Sequence, residues 1–267
     1  MDNVQKILAN VIELQSMPTV FLEALDSIQD PKINAIKLSS IISKDMALTT
    51  KLLRLVNSPY YGFAKEITQV NNAVALLGFR TVKDIIMMMA LKPMMLSQNG
   101  KDLWEHSLRC AYAAQFFAEN IIEVAADEVF TIGFLHDIGR VLFQLYDMES
   151  FDEVSRLSKL GIDQLIVEED IFGADHTVVG EAFVIRENLP PIIAKSIRYH
   201  HNPTDENAPY LSKIIYLAEM LTQPEPKDPT MPIPLEFLEQ FEIKIDNQED
   251  LRKEVFEKTD VIISSLE

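Results

Sequence analysis

The sequence predicts an all-α protein of two packed helical lobes, and three observations carry that expectation. Apolar residues recur at helical spacing in almost every segment. No stretch alternates convincingly as a strand does. The chain holds only eight glycines, several of them where a helical pattern stops.

Taken in order, the elements support this class. Asp45 is a natural N-cap for a helix whose apolar residues Leu48, Leu52, Leu55 and Val56 fall at i, i+4, i+7 and i+8. Asn57-Ser58-Pro59-Tyr60-Tyr61-Gly62 then interrupts the period with a proline and a glycine. The turn reads as architecture, with the Asn57 side chain bonded to nearby backbone groups. A second helix runs from Val70 to Leu77 and stops at Gly78, and Thr81 followed by Asp84 resembles a capping box for the next. Met87-Met88-Met89, Met94-Met95, Trp104 and Cys110 are expected in the core.

Pro93 and Gly100 bracket a boundary, so residues 1–95 are expected to form an N-terminal lobe and residues 96–222 a second lobe. Helices are expected in that second lobe near 102–121, 126–146, 150–160, 163–172, 176–188, 191–201 and 209–222. Residues 223–267 read as a proline-rich connector followed by short helices near 235–241 and 247–265, an appendage or a docking element.

Composition bounds the function. Against 41 Asp+Glu stand 24 Lys+Arg, a net charge of −17, which disfavours nucleic acid and anionic membrane surfaces as partners. The one cysteine permits no internal disulfide, the N-terminus lacks the order of a signal peptide, and no apolar run approaches a membrane span. A cytoplasmic protein is the expectation.

All five histidines lie between residues 106 and 201. His106 shares a helix face with Cys110, Ala113 and Phe117, and small neighbours there allow another helix to approach. His136 and Asp137 are adjacent, so on one helix they leave the axis about 100° apart and converge on one ion only in a wedge between helices. Gly139 is costly inside a helix, which points to a close backbone approach. His200 and His201 end a helix, where with His176 they are placed to hold a second ion. Glu219 is a carboxylate in an apolar run and needs a partner. Imidazole and carboxylate together suit a divalent metal that activates water or grips phosphate.

The order His106, His136-Asp137-Ile138-Gly139, His176, His200-His201, acid is similar to the HD superfamily of metal-dependent phosphohydrolases. Met17-Pro18, Ile42-Ser43-Lys44-Asp45-Met46-Ala47-Leu48, Asn57-Ser58-Pro59-Tyr60-Tyr61-Gly62 and Ala73-Val74-Ala75-Leu76-Leu77-Gly78 resemble the signature of the HDOD family, the HD-related output domain of bacterial signalling. This resemblance covers roughly residues 10–222 and implies that the second lobe is an HD-type helical domain. It also implies one metal at His106, His136 and Asp137 with a final acid, and a second at Asp137, His176, His200 and His201. The ions would be Fe, Mn, Mg or Zn.

Three departures bear on activity. Glu219 stands where relatives carry aspartate, moving its oxygens by about 1.5 Å. Arg140 replaces a lysine, which changes geometry but not charge. Asn202-Pro203-Thr204-Asp205 stands where cyclic-dinucleotide phosphodiesterases carry Gly-Tyr-Pro. The resemblance therefore implies a regulatory output module on a phosphohydrolase-like scaffold, with a signalling protein as partner and little or no turnover. The alternative is an active phosphohydrolase of nucleotide-like phosphoesters, with Asp137 bridging the metals and Arg140 steadying the anion.

Overall fold

A computed structural model describes residues 3–14, 19–30, 32–97, 100–119, 128–223 and 248–266. Among these, every regular element is helical and no strand occurs. The chain divides into two compact units, one of Met1–Gln15 with Met94–Arg252, the other of Ser16–Pro93 with Lys253–Glu267.

The second of these units contains α2 (Thr19–Gln29), α3 (Ala35–Ile42), α4 (Met46–Val56) and most of α5 (Val70–Met95). Each start has a chemical cause. Asn34 accepts from the Lys37 amide to cap α3, and Asp45 accepts from the Leu48 amide at 2.9 Å to cap α4. α4 buries Leu48, Leu52, Leu55 and Val56, the face set by the apolar period. Asn57 follows, its Nδ2 donating to the Leu53 and Ile67 carbonyls at 2.7 and 2.8 Å while its Oδ1 accepts from the Ile67 amide at 2.7 Å. One side chain thus closes the loop between α4 and α5, an architectural role. Within α5 the helix is broken at Gly78 (φ 78°, ψ 164°), a conformation that glycine adopts without strain. The C-terminal turn of the last helix belongs here too, its Leu266 carbonyl accepting from Lys92 at 2.6 Å.

The histidine-bearing unit contains α1 (Asn3–Leu14), α6 (Lys101–Glu119), α7 (Val129–Leu135), α8 (Ile138–Tyr146), α9 (Met148–Lys159), α10 (Gln164–Phe172), α11 (His176–Arg186), α12 (Pro191–Arg198) and α13 (Tyr210–Thr222). The final helix, α14 (Gln248–Leu266), is divided between the units at Arg252. α6 packs on α7 and α13, α11 on α8 and α12, and α1 on α8 and α11. Phe117, Phe130, Phe134 and Phe143 are fully buried among them, with Trp104 edge-on to Phe134 at 5.6 Å. Cys110, Trp104 and the methionines at 87–89, 94 and 95 are core residues, as their apolar settings predict.

One element differs from expectation. The helix expected across 126–146 is two helices, α7 and α8, parted at His136 and Asp137. In a continuous helix the Gly133 carbonyl would accept from the Asp137 amide; here the His136 ring Nδ1 bonds to that carbonyl at 2.7 Å, and Asp137 turns to φ −98°, ψ 13°. The side chain competes with the helix for its own acceptor. The helix expected near 235–241 lies outside the described residues, while α14 occupies the place expected for the last one.

Candidate metal centre

Six elements of one unit deliver the site. His106 comes from α6, His136 and Asp137 from the α7–α8 break, Arg140 from α8, and His176 is the first residue of α11. His200 and His201 follow α12, and Glu219 lies on α13. Asp175 fixes the start of α11, its carboxylate accepting from the Thr177 and Val178 amides at 2.8 and 3.1 Å.

Two glycines bring these elements together. A Cβ on Gly139 would collide with the His176 carbonyl, so only glycine lets α8 approach the start of α11 closely enough to set Asp137 beside His176. A Cβ on Gly133 would stand 2.7 Å from the Ala111 Cα, so the same logic draws α7 against α6 and His136 toward His106.

The seven expected ligands converge. Their donor atoms form three groups, each within 4.8 Å: His106, His136 and Asp137; Asp137, His176, His200 and His201; and His136, His200 and Glu219. Asp137 belongs to the first two, with its oxygens divided between them. Oδ2 lies 3.9 and 3.8 Å from Nε2 of His106 and His136, and Oδ1 lies 3.4 Å from Nε2 of His176. Glu219 Oε2 is 3.8 Å from both His200 Nε2 and His201 Nδ1. Its group in this set is thus His136 and His200, whereas the resemblance placed it with His106, His136 and Asp137.

Rear hydrogen bonds decide which nitrogen faces inward. Nδ1 of His136 meets the Gly133 carbonyl at 2.7 Å, and Nδ1 of His200 meets the Ile197 carbonyl at 2.7 Å. A carbonyl only accepts, so in both rings Nδ1 carries the proton and Nε2 offers a lone pair. Nδ1 of His176 meets the Glu168 carboxylate at 2.6 Å with the same result. Glu168 is fully buried, also accepts from the His176 amide at 2.9 Å and from Gln164 at 2.7 Å, and was not singled out from sequence. It sits in a Glu-Glu-Asp run whose other two members are exposed; its one signal was a place one helical turn before the buried Phe172.

Electrostatics favour the neutral form of His106, His200 and His201 and the ionised form of Asp137, with His176 the exception. Burial, reinforced by the neighbouring imidazoles, depresses His106 to about 4 and His201 to about 3, and takes His200 well below its ordinary value. Burial also acts to lower His176, but the charge and hydrogen bond of Glu168, aided by Asp137, leave it raised. For Asp137 burial works upward and is overridden by the Arg140 guanidinium and the imidazoles, so its carboxylate stays ionised far below the usual range.

The donor set fits a divalent ion. Nε2 of His106 and His136 are 3.2 Å apart, and Nε2 of His176 and His201 are 3.1 Å apart. Ligands at about 2.1 Å from one ion stand roughly 3.0 to 3.4 Å from each other, depending on geometry. Both imidazole pairs already have that separation, and the buried His200 Nε2 has no hydrogen-bond partner.

The HDOD domain model matches residues 14–203. The chain belongs to the HDOD domain family. The match takes in His106, His136, Asp137, His176, His200 and His201, and ends before Glu219. A protein of Treponema pallidum (strain Nichols), itself described only as uncharacterized, is 25% identical over 247 residues, covering 88% of this HDOD chain and 47% of its own. This chain thus spans about half the length of that curated relative. A candidate phosphohydrolase of Shewanella amazonensis SB2B superposes with a TM-score of 0.78 at 23% identity, over 98% of each chain. A candidate signal transduction protein of Marinobacter aquaeolei VT8 superposes at 0.79 with 19% identity, over 96% of this chain and 60% of the other. At such identities the likeness establishes the fold, the all-α HD type. Among the described residues no helix is long and apolar enough to cross a membrane.

Proposed function

We propose that this HDOD chain is a bacterial signalling output module that holds a divalent metal at the His–Asp centre and turns over phosphoesters little or not at all. Three buried imidazoles with protonated Nδ1 and inward Nε2, grouped about a carboxylate whose two oxygens face different clusters, carry the metal reading. His106, His136, Asp137, His176, His200, His201 and Glu219 would supply the ligands, and the ion would be Fe, Mn, Mg or Zn. A divalent ion there supplies Lewis acidity toward a phosphoryl oxygen.

Two observations favour weak turnover. Arg140 binds the Asp137 carboxylate, shared by two clusters, at 2.7 Å, and Glu219 approaches His200 and His201 at 3.8 Å. The signalling reading draws on the family and on the Marinobacter neighbour's description. It places the protein in the cytoplasm with a signalling protein as partner, keeps the lobes at 1–95 and 96–222, and makes residues 223–267 the appendage. A working phosphohydrolase of nucleotide-like phosphoesters is favoured by one feature: the Arg140 side chain, which would steady the anion, is 26% exposed.

Elemental analysis of the full chain purified without chelator, followed by phosphodiesterase and nucleotidase panels with Mn²⁺ or Fe²⁺, separates these readings. Metal that disappears in His136→Ala, without turnover, is the expected result. Turnover abolished by the same substitution would establish the enzyme. Absence of metal would overturn the metal-centre reading.

A further inference from the structure

Resting on that metal reading, we propose that the chain takes up one divalent ion, not two. The ion sits in the cluster of Asp137, His176, His200 and His201, while the Arg140 guanidinium stands in for the other ion.

The two clusters share Asp137 but differ in what its two oxygens meet. On the His106 side the facing oxygen is Oδ2, and Arg140 Nη1 already donates to it at 2.7 Å. A fixed cation bonded to that oxygen repels any ion approaching it, and the site is buried, so screening is weak. On the His176 side the facing oxygen is Oδ1, 3.4 Å from His176 Nε2, and the Arg140 contact is made to the other oxygen.

Ligand number and support follow the same division. Three donors converge on the His106 side, four on the other. Metal-binding histidines depend on a rear acceptor to fix their orientation and basicity. His176 has the buried Glu168 carboxylate and His200 has the Ile197 carbonyl. His136 has the Gly133 carbonyl, while the Nδ1 of His106 has no hydrogen-bond partner and that of His201 reaches the Glu219 carboxylate only at 3.8 Å, so two of three imidazoles are supported on one side and one of two on the other. Glu219 groups with His136 and His200, one imidazole from each side, and so adds its donor to neither cluster alone. Charge adds to the contrast, because Glu168 places a second buried carboxylate behind the four-donor cluster, where it strengthens the hold on a dication.

The test is a titration of the full chain with Mn²⁺ alone, read by equilibrium dialysis and electron paramagnetic resonance. The native chain is expected to bind one equivalent with the spectrum of an isolated ion. His106→Ala keeps that equivalent and His201→Ala loses it. Arg140→Gln, which removes the charge, gains a second equivalent with a magnetically coupled spectrum, the affinity at the His106 cluster rising on the order of ten- to hundredfold. Two equivalents in the native chain would overturn the proposal, as would loss of the single ion in His106→Ala but not in His201→Ala. If Arg140→Gln does not fold, the two histidine variants still decide where the ion lies. No binding by the native chain would instead remove the metal-centre reading itself, a result distinct from a second equivalent.

Discussion

The Asn57 turn and the His–Asp centre are both polar motifs with a strong sequence signature, and they use their hydrogen-bonding groups in opposite ways. Asn57 makes three bonds to the backbone of Leu53 and Ile67, so the side chain is consumed in holding the loop. His136, His176 and His200 bond backward through Nδ1, the Nε2 atoms of His136 and His176 meet those of His106 and His201 at 3.2 and 3.1 Å, and the Nε2 of His200 has no partner. Buried polar groups are ordinarily paired. A motif whose groups are all bonded to backbone is structural, and one that sets imidazole nitrogens against each other at coordination spacing, with the Nε2 of His200 unpaired, is built for something that enters.

The sharpest break of this contrast is Asp137→Asn. The amide offers one acceptor and no charge, so Mn²⁺ affinity should fall by more than about a hundredfold, roughly 2.7 kcal/mol. Equilibrium dialysis measures it, and a loss under tenfold would mean that Asp137 is no ligand. Gly139→Ala comes next. Its methyl group must push α8 away from the His176 carbonyl, so urea unfolding should show a loss of about 2 to 3 kcal/mol, with less metal in the folded fraction. Unchanged stability would mean that the close approach is not maintained. Glu168→Gln keeps the shape and removes the charge behind His176. Metal affinity should drop roughly 10- to 100-fold while the unfolding midpoint moves little, because an outer partner tunes its ligand more than it holds the fold. An equal loss in both measurements would make Glu168 a structural acid.

These substitutions also mark what the sequence disclosed. The helical class, the Asp45 cap and the six family-motif residues that gather in the cluster were legible because each is a local pattern or a fixed residue order. Gly139 was legible as a cost without a local benefit, and the benefit proved to be the His176 backbone. The break at His136 was not legible, since the apolar period runs through it and the ring that takes the Gly133 carbonyl declares itself only in three dimensions. Glu168 stayed hidden for a related reason: among three consecutive acids, the helix that packs against it chooses which one turns inward, and here Glu169 and Asp170 face out.

The smallest effect is expected from Asn57→Ala, and it tests the other half of the contrast. Three hydrogen bonds are lost, yet Asn57 is exposed, and water replaces much of what the backbone groups of Leu53 and Ile67 give up. The net cost should be about 1 to 2 kcal/mol in urea unfolding, seen as a shift in midpoint rather than in slope. Mn²⁺ affinity of the folded protein should stay within about twofold of native, because no donor of the metal centre belongs to this turn. A large loss of metal in a stably folded Asn57→Ala would show that the turn is functional despite its satisfied bonds. The hydrogen-bond criterion separating the two motifs would then fail at its simpler member.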